Sequence, residues 1–247
     1  MSRVSLLGVP IDVLITTEAV ERLHEMLPGP EPKHVATPNA EMLVESVRRP
    51  SFRAVLQATA LNLPDSVGLQ FAARLTGQHL PARVTGVDTV SALCLSLNAE
   101  HPVFFLGAEP GIAEQTADAL QHLNPHLSVA GTVSGSPADE DADAICSAIN
   151  ASGAHVLLVA FGAPKQEEWI AKHLASMPNL RVAMGVGGTF DFLSGNVQRA
   201  PSILRSIGLE WAWRLALQPS RLGRILNAVV VFPLLVLRYG KNAPTER

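Results

Sequence analysis

The sequence predicts an α/β fold with a mostly parallel sheet flanked by helices, on three observations. Apolar strand-like runs alternate with amphipathic helical patterns through most of the chain. The central runs are unbroken apolar stretches, as strands buried on both faces are. Near Gly195 the alternation stops and an arginine-punctuated helical tail begins. In order, the strand candidates are residues 4–8, 34–37, 60–63, 103–107, 127–131, 155–161 and 181–186. Helical periodicity fills 17–27, 40–47, 66–76, 87–97, 111–123, 138–151 and 164–175. This divides the chain into a Rossmann-like α/β domain over 1–195 and a basic amphipathic helical appendage over 196–247.

Within the tail, a helical run through Trp211, Trp213 and Arg214 breaks at Pro219, and Arg221 and Arg224 precede an apolar segment over 225–237. That segment holds only 13 residues, including Asn227 and Pro233. A spanning helix needs about 20 apolar residues, so an interfacial helix or a helix docked on the domain is expected instead.

Charge sets the tail apart. Residues 199–247 carry 8 Lys/Arg against 2 Asp/Glu, while residues 1–198 carry 11 against 20. A basic, apolar tail suits an anionic membrane surface. The overall charge of -3 and 5% aromatic content argue against nucleic-acid binding. Cys94 and Cys146 lie inside helical patterns, which points to a reducing compartment without a disulfide framework or a cysteine zinc site. The first residues lack the pattern of a signal peptide, so a cytoplasmic location is expected.

Ligands in open α/β sheets bind beyond the carboxyl ends of the strands. Just past predicted strand ends stand Thr37 and Asn39, Asp65 and Ser66, Gln166, and Gly187, Gly188 and Asp191. Thr37, Asp65 and Ser66 could equally be helix caps. The segment from Gly107 to Gly111 joins a strand to a helix, and either it or Gly187-Gly188 could cradle a diphosphate or be an ordinary tight turn. Gly107-Ala108-Glu109-Pro110-Gly111 lacks the full dinucleotide-binding glycine spacing. Asp139-Glu140-Asp141 contains a D-x-D pattern, but after Ser136-Pro137 it reads as solvated acids at a helix start, and no essential metal is expected. The eight histidines show no metal-ligand spacing, and no G-x-S-x-G or P-loop occurs.

Taken together, Thr37-Pro38-Asn39-Ala40-Glu41, Leu63-Pro64-Asp65-Ser66-Val67-Gly68, Arg83-Val84-Thr85-Gly86-Val87-Asp88, Phe161-Gly162-Ala163-Pro164-Lys165-Gln166-Glu167 and Gly185-Val186-Gly187-Gly188-Thr189-Phe190-Asp191 resemble the WecG/TagA/CpsF family of bacterial glycosyltransferases. The tail pattern of Glu210-Trp211, Arg214-Leu215, Pro219, Arg221 and Arg224 matches too. The resemblance implies a metal-independent, inverting transferase without a cofactor. Its substrates would be a UDP-sugar donor and a polyprenyl-diphosphate-linked sugar acceptor, at the inner face of the cytoplasmic membrane.

By the same resemblance Asp65 is the general base, with Thr37 and Asn39 beside it. Arg83, Gln166 and Asp191 serve the donor, joined by the candidate diphosphate cradles at Gly107 and at Gly187 and Gly188, and Arg214, Arg221 and Arg224 serve the acceptor diphosphate. Two departures stand out: Ser66 follows Asp65 where the family usually has glycine, and the loop at Gly135-Ser136-Pro137 lacks the usual aromatic. An exposed apolar surface of the family's kind would support a homo-oligomer. A non-catalytic nucleotide-binding module at the membrane shares the sheet and the tail but needs no base. A nicotinamide-dependent oxidoreductase is disfavoured by the incomplete glycine fingerprint.

Overall fold

A computed structural model describes residues 2–206 and 208–244. The chain opens with a hairpin, β1 (Arg3–Leu6) and β2 (Val9–Asp12), followed by α1 (Thr16–Met26), β3 (Lys33–Ala36), α2 (Ala40–Arg48), α3 (Pro50–Ala58), β4 (Leu61–Asn62), α4 (Val67–Leu75) and α5 (Gly86–Ser96). Then come β5 (Val103–Gly107), α6 (Ile112–Leu123), β6 (Val129–Val133), α7 (Asp139–Ser152), β7 (Val156–Ala160), α8 (Lys165–His173), β8 (Val182–Gly185) and α9 (Thr189–Leu193). The tail holds α10 (Ser202–Ser206), α11 (Glu210–Leu217), α12 (Leu222–Leu226) and α13 (Phe232–Tyr239).

Six strands form a parallel sheet in the order β4-β3-β8-β7-β5-β6. The expected α/β class with a parallel sheet is therefore present. Alternation along each central strand feeds two cores. Val103, Phe105, Leu158 and Met184 pack on one face beneath α1, α5 and α6, while Phe104, Leu106, Leu157 and Ala183 pack on the other beneath α7 and α8.

Several elements differ from the sequence reading, among them β2 and the short helix α9, neither of which was expected. The run at 4–8 is no strand of the main sheet but half of an antiparallel hairpin. The chain reverses at Leu7-Gly8, both at positive φ, and their N–H groups donate to the carbonyls of Gly240 and Lys241. A β-carbon on Gly8 would run into Ala243, so close approach of the C-terminal segment also demands glycine there. The buried Asp12 carboxylate pins the hairpin to the sheet edge, accepting from Arg3 Nε (2.7 Å) and from Asn62 N (2.7 Å). Helix α3 was not anticipated; it begins with Pro50 in its first turn, where proline costs no hydrogen bond. The strand expected at 127–131 forms at Val129–Val133, because Leu127 is buried in a turn that donates its N–H to Asn124 O.

The tail also departs from the 13-residue reading. Residues 219–239 form one helical run of 21 residues, long and apolar enough by length and composition to cross a membrane. Pro219 sits in its first turn, and a π-helical turn over Asn227–Val231 leads into α13 with Pro233 in the first turn of that segment. Neither proline therefore interrupts the run. It is seated along the domain, with Phe232 and Val236 buried in a third core shared with α2, α4 and the hairpin.

Candidate active site

A cavity of about 590 Å³ opens at the carboxyl edge of the parallel sheet, beneath the tail. Eleven of the twelve residues expected at the site line it: Thr37, Asn39, Asp65, Arg83, Gln166, Gly187, Gly188, Asp191, Arg214, Arg221 and Arg224. Gly107 does not. Its β-carbon would press on the Ala160 backbone and the Phe161 ring, so the glycine lets β5 and β7 close up, while the next residues, Ala108 and Glu109, reach the cavity.

Of the three residues with an alternative reading as caps, only Ser66 is one, its hydroxyl accepting from Leu69 N at 3.3 Å. Thr37 instead donates to Gly185 O across the β3/β8 junction (3.1 Å). Asp65 Oδ2 accepts the N–H of Gly86, the first residue of α5, at 3.1 Å. Asn39 does cap α2, accepting from Met42 N at 3.0 Å.

Desolvation pushes the Asp65 carboxyl up to about 7, although the Gly86 N–H and the nearby Arg83 charge favour its ionised form. Glu210 and Asp88 add to the rise. A carboxylate poised at this value can take a proton from a hydroxyl near neutrality.

Gln166 clamps two loops. Its Oε1 accepts from Gly162 N, after β7, and from Gly187 N, after β8, both at 3.0 Å. Its Nε2 donates to Glu167 Oε1 at 2.8 Å. Glu167 is fully buried and its Oε2 has no hydrogen-bond partner, so burial drives its carboxyl up to about 7. Any side chain at Gly185 would strike this Gln166–Glu167 pair.

Arginines from the tail cover the opposite wall. Arg214 crosses the Phe192 ring with its guanidinium carbon 4.6 Å from the centroid, and fills the space that a side chain at Gly188 would occupy. Its Nε and Nη2 are buried without hydrogen-bond partners. Burial lowers the Arg214 pKa. At Arg221 burial, reinforced by Arg214 and Arg224, brings it to about 10. Arg224 Nε donates to Glu41 at 2.6 Å. Three guanidiniums crowded together, two donors of one left unpaired, form a receptor for a polyanion.

A second charge network ties the tail to the base. Arg83 donates to Glu210 of α11 at 2.7 Å, and Arg199 forks onto Asp88 at 2.7 and 2.9 Å while lying 3.6 Å from Glu210. Burial would raise Asp88, but the Arg199 and Thr85 hydrogen bonds outweigh it and hold the carboxyl below its usual range.

Glu167, Asp88 and Arg199 were assigned no role from sequence. The first two lie in the motif blocks quoted above, and that proximity was the available signal; Arg199 had only its place at the start of the basic tail. The acids of the D-x-D stretch are engaged at the start of α7, Asp139 by Lys172 and Asp141 by Ser136. Among the described residues no three His, Cys, Asp or Glu side chains group as a metal site.

The chain is also similar to known proteins along most of its length. The profile of the "Glycosyl transferase WecG/TagA/CpsF family" matches residues 4–246. A protein of Bacillus spizizenii named "N-acetylglucosaminyldiphosphoundecaprenol N-acetyl-beta-D-mannosaminyltransferase" is 34% identical over 194 residues, 78% of this chain and 74% of its own length. A protein of the same name from Bacillus subtilis is 31% identical over 212 residues, 85% of this chain and 81% of its own.

Proposed function

The chain belongs to the WecG/TagA/CpsF family of glycosyltransferases, and from that premise we propose that it moves a hexosyl group from a UDP-sugar to a polyprenyl-diphosphate-linked saccharide. The observation that carries this reading is that Asp65 and the arginines of the tail line one cavity. One supplies a base near neutrality, the others a site for diphosphate.

In the reaction, Asp65 takes the proton of the acceptor hydroxyl as its oxygen attacks the anomeric carbon. The bond from that carbon to the UDP oxygen breaks, and one displacement inverts the centre. Charge growing on the departing diphosphate falls to Arg83 and the N–H of Gly188. Asp191 serves the nucleotide side. Arg214, Arg221 and Arg224 hold the acceptor's diphosphate, and Thr37 and Asn39 shape the cavity floor beside the base. No step calls for a metal.

The name shared by the two relatives makes N-acetylmannosamine, added to a diphosphoundecaprenol-linked N-acetylglucosamine, the first donor–acceptor pair to assay. A lipid-linked acceptor places the reaction at a membrane surface. The basic tail supports peripheral attachment on the cytoplasmic face, in assembly of a cell-envelope or extracellular polysaccharide.

The test is transfer from a panel of UDP-sugars to a short-chain polyprenyl-diphosphate-sugar. One donor should be productive, and Asp65→Ala should cut turnover by about 10²–10⁴-fold with the circular dichroism unchanged. Full activity in Asp65→Ala removes Asp65 as the base. UDP binding without transfer from any donor favours the non-catalytic module.

A further inference from the structure

The tail is not the only element with an uncovered apolar face. Helix α4 exposes Val67 (41%), Phe71 (56%) and Leu75 (48%), spaced four apart along one side, while Leu69, Ala72 and Ala73 on its other side are buried. The helical run at 219–239 exposes Leu226, Val230, Leu234 and Leu237, the last by 71%.

The two faces adjoin. Leu75 and Leu237 are walls of one groove of about 370 Å³. Gly68 of α4 lies against the Phe232 ring, where a β-carbon would sit 3.7 Å from it. On the two helical segments themselves charge has one sign, and Glu41 of the neighbouring α2 is held by Arg224. Arg74, Arg238 and Lys241 are exposed at the far end, and no Asp or Glu occurs from Ser66 to Val87 or from Trp211 to Pro244.

We infer that the exposed face of α4, in the α/β domain itself, enters an anionic phospholipid surface together with α12 and α13. This rests on the reading that the acceptor is lipid-linked. A basic rim around an apolar stripe complements acidic headgroups and acyl chains, whereas a second copy of the same face would bring like charges together. With no carboxylate on α4 or on the helical run, and Glu41 beside it neutralised by Arg224, the face meets little repulsion from the bilayer.

The consequence is positional. Asp65 stands two residues before Val67, the first exposed residue of the stripe, so lipid contact by α4 sets the base at the depth of the headgroups. There the sugar next to a membrane-anchored diphosphate must lie. Arg221 and Arg224 line the same cavity from the start of the helical run, so both halves of the site hang from one membrane-contacting face.

The experiment uses the full chain with an environment-sensitive fluorophore on a cysteine at Phe71→Cys or Leu234→Cys; Cys94 and Cys146 are buried and do not compete. Vesicles of phosphatidylcholine with and without phosphatidylglycerol are added, and quenching by aqueous iodide is followed. Both positions should become shielded on the phosphatidylglycerol vesicles. Phe71→Glu should weaken vesicle partition about ten-fold, and Leu123→Glu, an exposed leucine on α6, should leave it unchanged.

Shielding at position 234 with position 71 still open to iodide overturns the α4 assignment and leaves tail docking standing. No response at either position on phosphatidylglycerol vesicles overturns both. Shielding without vesicles that grows with protein concentration overturns it in favour of a second copy of the chain.

Discussion

Asp65 shows how one residue is tuned by neighbours remote in sequence. Removal from water raises its carboxyl, and Arg83 pulls it back. Activity limited by the ionised base should rise about ten-fold per pH unit below 7 and level off above it. Arg83→Ala removes the stabilising charge and should move that rising limb to higher pH, beyond any loss in donor affinity; kcat/KM against pH for the two enzymes measures it. An unmoved limb would show that Arg83 does not act on the base.

Glu167 obeys the same physics in a structural role, since its burial also favours a neutral acid. Its folded pKa, about 7, lies above the ordinary carboxylate value of 4.5, so the native state holds the proton more tightly. Stability from this group is full below about 4.5 and is lost as pH rises through 7. Glu167→Gln keeps the shape and an acceptor for Gln166 without the charge, and should flatten the fall of Tm between pH 5 and 8. Glu167→Ala should lower Tm at every pH and loosen the Gly162 and Gly187 loops, raising KM for the donor. Calorimetry and steady-state kinetics on the two variants separate these effects; the same slope in Glu167→Gln would contradict the assignment.

At the scale of elements, the helical run at 219–239 carries two loads. Its inner face supplies Phe232 and Val236 to a core with α2, α4 and the hairpin, while its first turns carry Arg221 and Arg224 to the cavity. Phe232→Ala should cost about 3–5 kcal/mol of stability by denaturant titration, the usual price of an aromatic cavity. Truncation after Gly195 removes the arginines and those core residues together. It should abolish transfer, weaken membrane partition and lower Tm, with the exposed core detected by binding of a hydrophobic dye. A truncated chain with the full-length Tm would mean that this core does not need the tail.

Across the whole molecule, local signals translated into structure where chemistry and periodicity coincided. The short apolar runs at 103–107, 155–161 and 181–186 became β5, β7 and β8, whose place in the middle of the sheet shields both faces and suits such composition. Residues at their carboxyl ends met because parallel strands share one edge, so the site followed from the fold class plus the positions of Thr37, Asp65, Gln166 and Gly188. The hairpin escaped because its turn, Leu7-Gly8, is stabilised by carbonyls from Gly240 and Lys241, more than 230 positions away.

The sequence by itself determined the α/β class, the parallel sheet, the edge that carries chemistry, and the basic tail, since periodicity, strand polarity and charge are local properties of the chain. Tertiary structure alone decided the state of each group. Arg214 against Gly188, Arg83 against Glu210, and Glu167 beneath Gln166 depend on through-space distance and desolvation, which spacing along the chain does not encode. The same holds for the tail: its sequence fitted an interfacial or a docked helix and gave too short an apolar segment, and the structure makes it a 21-residue run that the burial of Phe232 and Val236 against α2 and α4 seats along the domain.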